Sequence, residues 1–538
     1  MKRISAILAF AVAFSMAAGA QDMYDALRYS ENNYYGTARS IAMGNAFTAL
    51  GGDLGSIGIN PAGSAVNGYS QFTITPSISV ISTAGQYNGT PSTSSVFSSS
   101  EKSNWTRMGM PNFGIVINQK TGRSYGIKNL TFGFVGNSTN IFTEDYAASG
   151  SNNQTSYLGS MASWATADGA SGTDLDNATY SSGRYPWDDI IGWRTGMIST
   201  YGGSDYDFIG ATERIFSDGT IGLGGPLDQR YGRRTTGRKY DVVLNFGMNI
   251  NDNLYLGANI GMVALSYKTN TVFNEAAQSQ ADFPIEYEGG VTTYFSDARY
   301  RTQMDVDASG VYAKFGLIWL PTPNFRVGAA IQTPTSTTIS ERWIYSGDIN
   351  FSDSQFNGSE TSDQGSYEYR LTSPYRLNAG LAYTIPGFGL FSADYEMADY
   401  SNMYFRDPDY YGSSAGFTDT NNDIKNYMGI SHSMRLGFEV KPVPEFAIRA
   451  GYGFVTSPEL DANQNSIKTL TQNASVGFGY SSPRSFFFDM ALRGTFKPDM
   501  YVYPYEYPAG TFDDGTLTPE MVVKRSIFDI VATFGWRF

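Results

Sequence analysis

The sequence predicts an all-β membrane protein: a closed 14-stranded antiparallel transmembrane β-barrel whose lumen holds an N-terminal hatch. Three observations carry that expectation. Apolar and polar side chains alternate with period two along most of the chain, which is the signature of a strand with one face in an apolar medium. Charges inside those runs fall on the polar phase. Beyond the first 20 residues no apolar stretch approaches the roughly 18 residues that a membrane helix needs. Yet Tyr (38), Phe (35) and Gly (59) are abundant and charged residues are only 16% of the 538. A barrel reconciles abundant aromatics with a mean hydropathy of -0.27, because alternating strands never look hydrophobic in a window average.

The first element is residues 1–20, MKRISAILAFAVAFSMAAGA. Lys2 and Arg3 precede an apolar stretch, and Ala18-Gly19-Ala20 follows it, the pattern of a secretory signal peptide cleaved before Gln21. Residues 21–69 form the expected hatch. Within it, "SIAMGNAFTALGGDLGSIGINPAG" (Ser40 to Gly63) is small, apolar and too broken by glycine for a core helix or a membrane span. Met43, Phe47 and Leu50 stand at i, i+4 and i+7, predicting a helix of about four turns from Thr37 to Leu50. Such a stripe either lines a ligand pocket or packs a short helix inside a barrel, and the spacing allows both. Asn60-Pro61-Ala62 suits a tight turn into the wall, with Asn satisfying local backbone and Pro fixing φ.

Residues 70–538 are the expected barrel. Its clearest strand is the last, "IFDIVATFGWRF", where Phe528, Ile530, Ala532, Phe534, Trp536 and Phe538 share one face and Asp529, Thr533 and Arg537 the other. A terminal Phe fits the insertion signal of outer-membrane barrels. Upstream, runs pair across short turns such as Asn251-Asp252-Asn253 and Lys441-Pro442-Val443-Pro444, where proline's fixed φ and missing donor are in place. Fourteen alternating runs follow from Gln71 onward, an even number as a bacterial barrel requires. Short turns then face the periplasm and long connections the outside, the longest being a loop from about 139 to 237 large enough to carry its own small structure.

The charges support this reading. Asp241, Lys314, Arg326, Arg376, Asp394, Glu396, Arg435, Glu439, Arg449, Asp489, Arg493, Asp529 and Arg537 all fall opposite the apolar face. Facing lipid near the midplane, each would cost about 2 to 4 kcal/mol. A soluble β-sandwich also alternates, but does not combine aromatic-rich strand faces with a signal peptide, an even strand count and a terminal Phe. One phase slip, between Met304-Val306 and Val311-Phe315, predicts a β-bulge at Ser309-Gly310.

Composition excludes several functions. No cysteine exists for disulfides or thiolate metal sites, and a net charge of -13 without a basic patch disfavours nucleic acid. The one histidine, His432, adjoins Ser433, which a strand places on the opposite face, so no Ser-His pair forms. "DTNNDIKN" (Asp419 to Asn426) matches no Ca²⁺ loop motif and reads as solvated loop. Neither metal nor cofactor is expected, and the chain does not read as an enzyme. In the long loop, Tyr157, Met161 and Trp164 have helical spacing, and Trp187, Ile190, Ile191, Trp193 and Met197 concentrate in "YPWDDIIGWRTGMI". That cluster is either a capture groove for an apolar ligand or a mini-core holding the loop over the barrel.

Three stretches carry a resemblance: "GTARSIAMGNAFTALGGDLGSIGINPAG" before the first strand, "SPYRLNAGLAYTIPGFGLFSADYEMADYSNM" (Ser373 to Met403), and "HSMRLGFEVKPVPEFAIRAGYGF" (His432 to Phe454). With these the chain resembles the FadL/TodX family of outer-membrane transporters for hydrophobic compounds, in its Bacteroidetes form, over nearly the whole mature chain except the 139–237 loop. The resemblance implies passive uptake of long-chain fatty acids or other hydrophobic molecules, in contact with outer-membrane lipid and lipopolysaccharide. It gives Asn60, Pro61 and Ala62 a role in gating, and Met43, Phe47, Leu50, Trp187, Ile190 and Trp193 a place among candidate ligand contacts. It also implies lateral exit through an inward kink in the third strand, "KNLTFGFVGNSTNIF", with Gly133, Gly136 and Asn137 as kink residues. Two other readings stay open, a barrel scaffold binding a secretion partner protein and a general porin.

Overall fold

The computed structural model describes residues 22–89, 100–287, 290–408, 415–483, 485–511 and 519–538; the expected signal peptide lies outside them. Fourteen antiparallel strands close a ring. They are β1 (Gln71–Gly89), β2 (Glu101–Lys120), β3 (Ile127–Ile141), β4 (Leu227–Ile250), β5 (Leu254–Ala277) and β6 (Val291–Thr322), then β7 (Phe325–Gln332 continued by Ser336–Phe351) and β8 (Gly365–Thr372 continued by Arg376–Ile385), and finally β9 (Gly389–Asp399), β10 (Ile430–Val443), β11 (Phe446–Thr456), β12 (Leu470–Ser481), β13 (Phe486–Phe496) and β14 (Glu520–Arg537). β14 pairs with β1 from Gln71↔Arg537 to Gly89↔Glu520, which leaves no edge. β7 and β8 break side by side at Pro334 and Pro374, where each proline lacks a ladder donor; Thr335 N–H donates to Ser373 Oγ (3.0 Å) and Ser373 N–H to the Thr335 carbonyl (2.9 Å). Every short turn lies at the end that holds the C-terminus, and every long connection at the other.

The barrel changes character along its axis. In the half nearest the short turns, Leu256, Ile260 and Met262 of β5 and Val311, Phe315 and Trp319 of β6 point outward, Ile260 being 62% exposed. The lumen there takes Asn259, Lys314 and the other charges, all buried or half-buried. In the far half the faces trade places: Leu265, Tyr267 and Phe273 of β5 and Ala298, Tyr300 and Val306 of β6 are buried inside, while Lys268, Asp305 and Asp307 stand outside. The lower belt is a lipid-facing wall; the upper crown is a water-facing β-tube whose interior is rich in aromatic side chains.

This inversion corrects two expectations. No bulge exists at Gly310, because the ladder runs without interruption from Trp319 through Gly310 to Asp297 against β5. The apparent phase slip is the membrane boundary crossed by an unbroken strand. Several strands also run further than the alternation suggests: it places the starts of β4 and β6 near 238 and 303, whereas they begin at Leu227 and Val291, since above the boundary their outer faces turn polar.

The long connection is folded. Glu144–Asn152 pairs with the upper part of β4, and helices Tyr157–Ala167, Gly172–Asn177 and Trp187–Thr195 with two small hairpins form a lid over the crown. Asp419–Asn426 is likewise part of a helix, Thr418–Tyr427, and not an irregular loop.

Helix Met23–Ser30 packs against the crown's inner wall at Leu265, Tyr267 and Val306, and the residues after it, 31–70, fill the lower lumen as a plug. The expected helix from Thr37 to Leu50 is only Ala38–Ala42, because Gly44 (φ 62°) and Asn45 (φ 60°) adopt left-handed conformations that end it. The chain continues as turns through the short 3-10 segments Gly55–Gly58 and Pro61–Val66.

Candidate functional site

Three features converge inside the barrel: the plug's attachment to the wall, a chamber above the plug, and an irregularity in β2 to β4.

Attachment begins with glycine. Inward-facing Gly257, Gly316, Gly328, Gly380, Gly437 and Gly451 stand on β5, β6, β7, β8, β10 and β11, and a Cβ on any of them would overlap plug atoms. Lacking side chains, these wall positions let the plug backbone lie directly on the sheet. Asn60 then uses its whole amide. Its Nδ2 donates to the Thr48 carbonyl (2.6 Å) and the Leu317 carbonyl (3.0 Å) of β6, while its Oδ1 accepts from Ala62 N–H (3.1 Å). The Pro61 carbonyl accepts from Asn245 Nδ2 (3.0 Å) of β4, and Ala62 is fully buried. Lys314 Nζ donates to the Gly58 carbonyl (2.9 Å) and Arg326 to the Leu50 carbonyl (2.7 Å). Asp53 closes the plug on itself, accepting from Thr37 Oγ1 (2.7 Å) and Gly55 N–H (2.9 Å); burial raises its pKa above the ordinary carboxylate range.

Inward charges are organised as pairs. Glu396 bonds both Arg376 (3.0 Å) and Arg435 (2.8 Å), Arg449 bridges Glu439 (2.6 Å) and Asp489 (2.5 Å), and Arg493 meets Asp529 (2.8 Å). Such pairs compensate charges removed from water and fix the lumen's shape.

Above the plug lies a chamber of about 1570 Å³. Its floor carries Tyr34, Tyr35, Arg376, Glu396, Arg435 and Arg493; its sides carry Arg233, Glu144, Lys497 and Arg525; its roof is the lid, through Tyr157, Met161, Trp164, Tyr185 and Trp187. Burial alone would raise the Glu144 pKa, but Lys497 at 2.9 Å and Arg525 at 3.5 Å hold it down to about 2. The chamber is thus lined by tyrosine and paired charge as much as by hydrocarbon.

Of the candidate contacts, Trp187 lines this chamber. Ile190 is wholly buried in the lid's core, against which Trp193 packs. Met43, Phe47 and Leu50 pack with Ala49 and Ile59 inside the plug, away from the chamber lining. The Tyr157, Met161, Trp164 spacing does mark a helix, with all three at the roof. His432 is exposed and Ser433 buried, on opposite faces, with the imidazole Nδ1 2.7 Å from Tyr395 Oη.

The third feature is at β3. Its ladder with β2 ends at Asn112↔Asn137, whose side chains are joined by an Asn112 Nδ2 to Asn137 Oδ1 bond of 2.8 Å. β2 shifts register against β1 at Met110-Pro111, and β3 shifts against β4 between Ser138 and Asn140. From Val135 to Asn140 both faces of β3 are buried, so the strand has left the lipid-facing surface. Gly136 lies beneath the Phe113 ring; Gly133 keeps regular register between Val116 and Asn245. Where β3 has lost β2, the plug takes over: Asn33 N–H donates to the Thr139 carbonyl (2.6 Å) and Tyr35 N–H to the Ser138 carbonyl (3.0 Å). The Met110-Pro111 bulge, the wall glycines and this plug-to-β3 pairing escaped the sequence reading. Only the non-alternating "MGMPN" run, with a proline inside a strand, hinted at the first.

The chain is thus a 14-stranded transmembrane barrel of the outer-membrane type, plugged at its lower end and lidded at its upper, with a chamber between. No protein-family model matches the chain, and no curated protein is recognisably related to it in sequence. Among solved structures, the toluene transporter TodX of Pseudomonas putida is similar over 94% of this chain and 99% of its own, at 13% identity and a TM-score of 0.51. A Pseudomonas aeruginosa FadL homologue (13% identity, TM-score 0.49) and the Ralstonia pickettii toluene transporter TbuX (15%, 0.46) match over the same shares. The fold of this chain is the FadL/TodX fold.

Proposed function

We propose that this protein carries hydrophobic small molecules passively across the outer membrane, as the transport named for TodX suggests, with long-chain fatty acids and small aromatic compounds as the candidate cargo. The observation that carries the reading is the chamber between lid and plug, beside a strand that leaves its neighbour at wall height. In this reading cargo enters through the lid, rests in the chamber against Trp187 and the tyrosines, and leaves sideways into the bilayer between β2 and β3, where Gly136 and Asn137 mark the departure. Asn60, Pro61 and Ala62 anchor the plug while Asn33 and Tyr35 hold β3, so a shift of the plug is felt at the lateral gap. Liposomes containing the purified protein should take up labelled toluene or oleate several-fold faster than protein-free liposomes. Equal rates for both probes would sink the proposal.

A further inference from the structure

Asp189 stands in the first turn of the lid helix Trp187–Thr195, is 0% exposed, and has no hydrogen-bond partner on either carboxyl oxygen. Its neighbour Asp188 is bonded by the Tyr300 hydroxyl, and among the described residues neither aspartate has a cation within ion-pair distance. Both line the chamber. The chamber's basic side chains, by contrast, are occupied. Glu396 holds Arg376 and Arg435, Asp529 holds Arg493, Glu144 holds Lys497 and Arg525, and Asp25 holds Arg28. Arg233 donates instead to the Tyr267 hydroxyl (2.9 Å) and Thr269 Oγ1 (3.2 Å). Arg233 is thus a cation without a carboxylate partner at the chamber's side, while at the roof Asp188 and Asp189 are carboxyls without an ion pair, set within a wall of aromatic rings that includes Trp164, Tyr185, Trp187 and Tyr345.

We propose that the roof is a recognition site for a protonated amine on an apolar body, the ammonium docking at Asp188 and Asp189 and the body lying against the rings. This rests on the transport reading above and narrows its cargo to amphipathic amines. A buried carboxyl without a donor forfeits its hydration and recovers nothing from the protein. An ammonium restores both charge and hydrogen bonds, and indole faces add cation–π attraction. A hydrocarbon leaves the carboxyls unpaired, and a carboxylate ligand adds like charge beside them. Burial raises the pKa of both aspartates, with Asp168 and then Asp188 adding to the rise at Asp189.

The test uses the full barrel in non-ionic detergent, titrated at pH 7.5 with 4-phenylbutylamine, butylbenzene and 4-phenylbutyrate while tryptophan fluorescence is followed. The amine should bind at least about tenfold more tightly than the other two, the scale of one charge-assisted hydrogen bond, and Asp189→Asn should bring it level with butylbenzene. Equal affinities, tighter binding of the butyrate, or an amine preference that survives Asp189→Asn overturns the proposal. Should that variant not fold, the wild-type ranking decides, with Asp188→Asn in its place. Liposome uptake separates the two claims: entry of butylbenzene without any amine preference overturns the roof site alone, whereas amine-selective binding without uptake of any of the three overturns transport alone.

Discussion

The lower belt and the upper crown are made by the same strands, yet they solve opposite problems. On β5, Ile260 and Met262 face outward and Asn259 inward; a few residues on, Lys268 faces outward and Leu265 and Tyr267 inward. Neither the backbone nor the register changes between them. What changes is the solvent outside, lipid against water, and the filling inside, a plug whose backbone carbonyls take bonds from polar wall side chains against a helix and aromatic side chains. Period-two alternation therefore reports a strand, whereas its phase reports which side is wet.

The largest test of that contrast removes an inner charge of the belt. Glu396→Ala strands two buried arginines, and the cost should be about 3 to 5 kcal/mol, read as a lowered urea midpoint for the barrel in lipid. The crown's outer pair Lys268–Asp305 is 2.7 Å long but more than two-fifths exposed on both sides, so Asp305→Asn should change stability by less than about 1 kcal/mol. Equal costs would erase the distinction. Next in size is an arginine scan down one outer face of β5. Ile260→Arg should cost about 2 to 4 kcal/mol in the belt, while Asn270→Arg in the crown should be nearly neutral. A crown that also rejects arginine would mean that lipid reaches higher than the polarity switch.

The contrast also explains what could be read from sequence. All 14 strands were legible because lipid forces every outward belt residue to be apolar, and the inward charges from Asp241 to Arg537 confirmed the phase. The crown was not. Above Gly310 the alternation continues with its sign reversed, which looks like a register error when only one solvent is imagined. The plug was legible as a segment but not as a shape, since Gly44 and Asn45 replace the expected helix with a turn. Of the candidate site, Asn60's anchoring followed from its local chemistry. The chamber did not, because Tyr34, Arg233, Trp187 and Lys497 come from four distant parts of the chain. Nor did the roles of the wall glycines, whose purpose is visible only once the plug lies against them.

Asn60 allows a smaller and more local test. Asn60→Ala removes the bonds to Thr48 and Leu317 and leaves Ala62 N–H without its acceptor, at a cost of about 1 to 3 kcal/mol falling on the plug and not on the wall. The belt should keep its unfolding midpoint while single-channel conductance rises or becomes unsteady. A barrel that fails to form would show that the plug is part of the wall's folding core.

The smallest effect belongs to the lid. Glu213, which accepts from Gly210 N–H at 2.8 Å, has its pKa pushed by burial from 4.5 to about 7. Its folded form thus binds the proton more tightly than its unfolded form, so the lid is most stable below about pH 4.5 and loosens as pH rises through about 7. The wall pair Arg493–Asp529 (2.8 Å) lies on β13 and β14, away from Glu213 and the lid. Amide exchange, corrected for intrinsic rates, should therefore quicken between pH 5 and 8 in residues 157–167 and 208–223 and stay constant in β12 to β14. Lid protection that is flat across this window would remove Glu213 as its titrating group, and protection that falls equally in lid and wall would place the pH-sensitive element in the barrel itself.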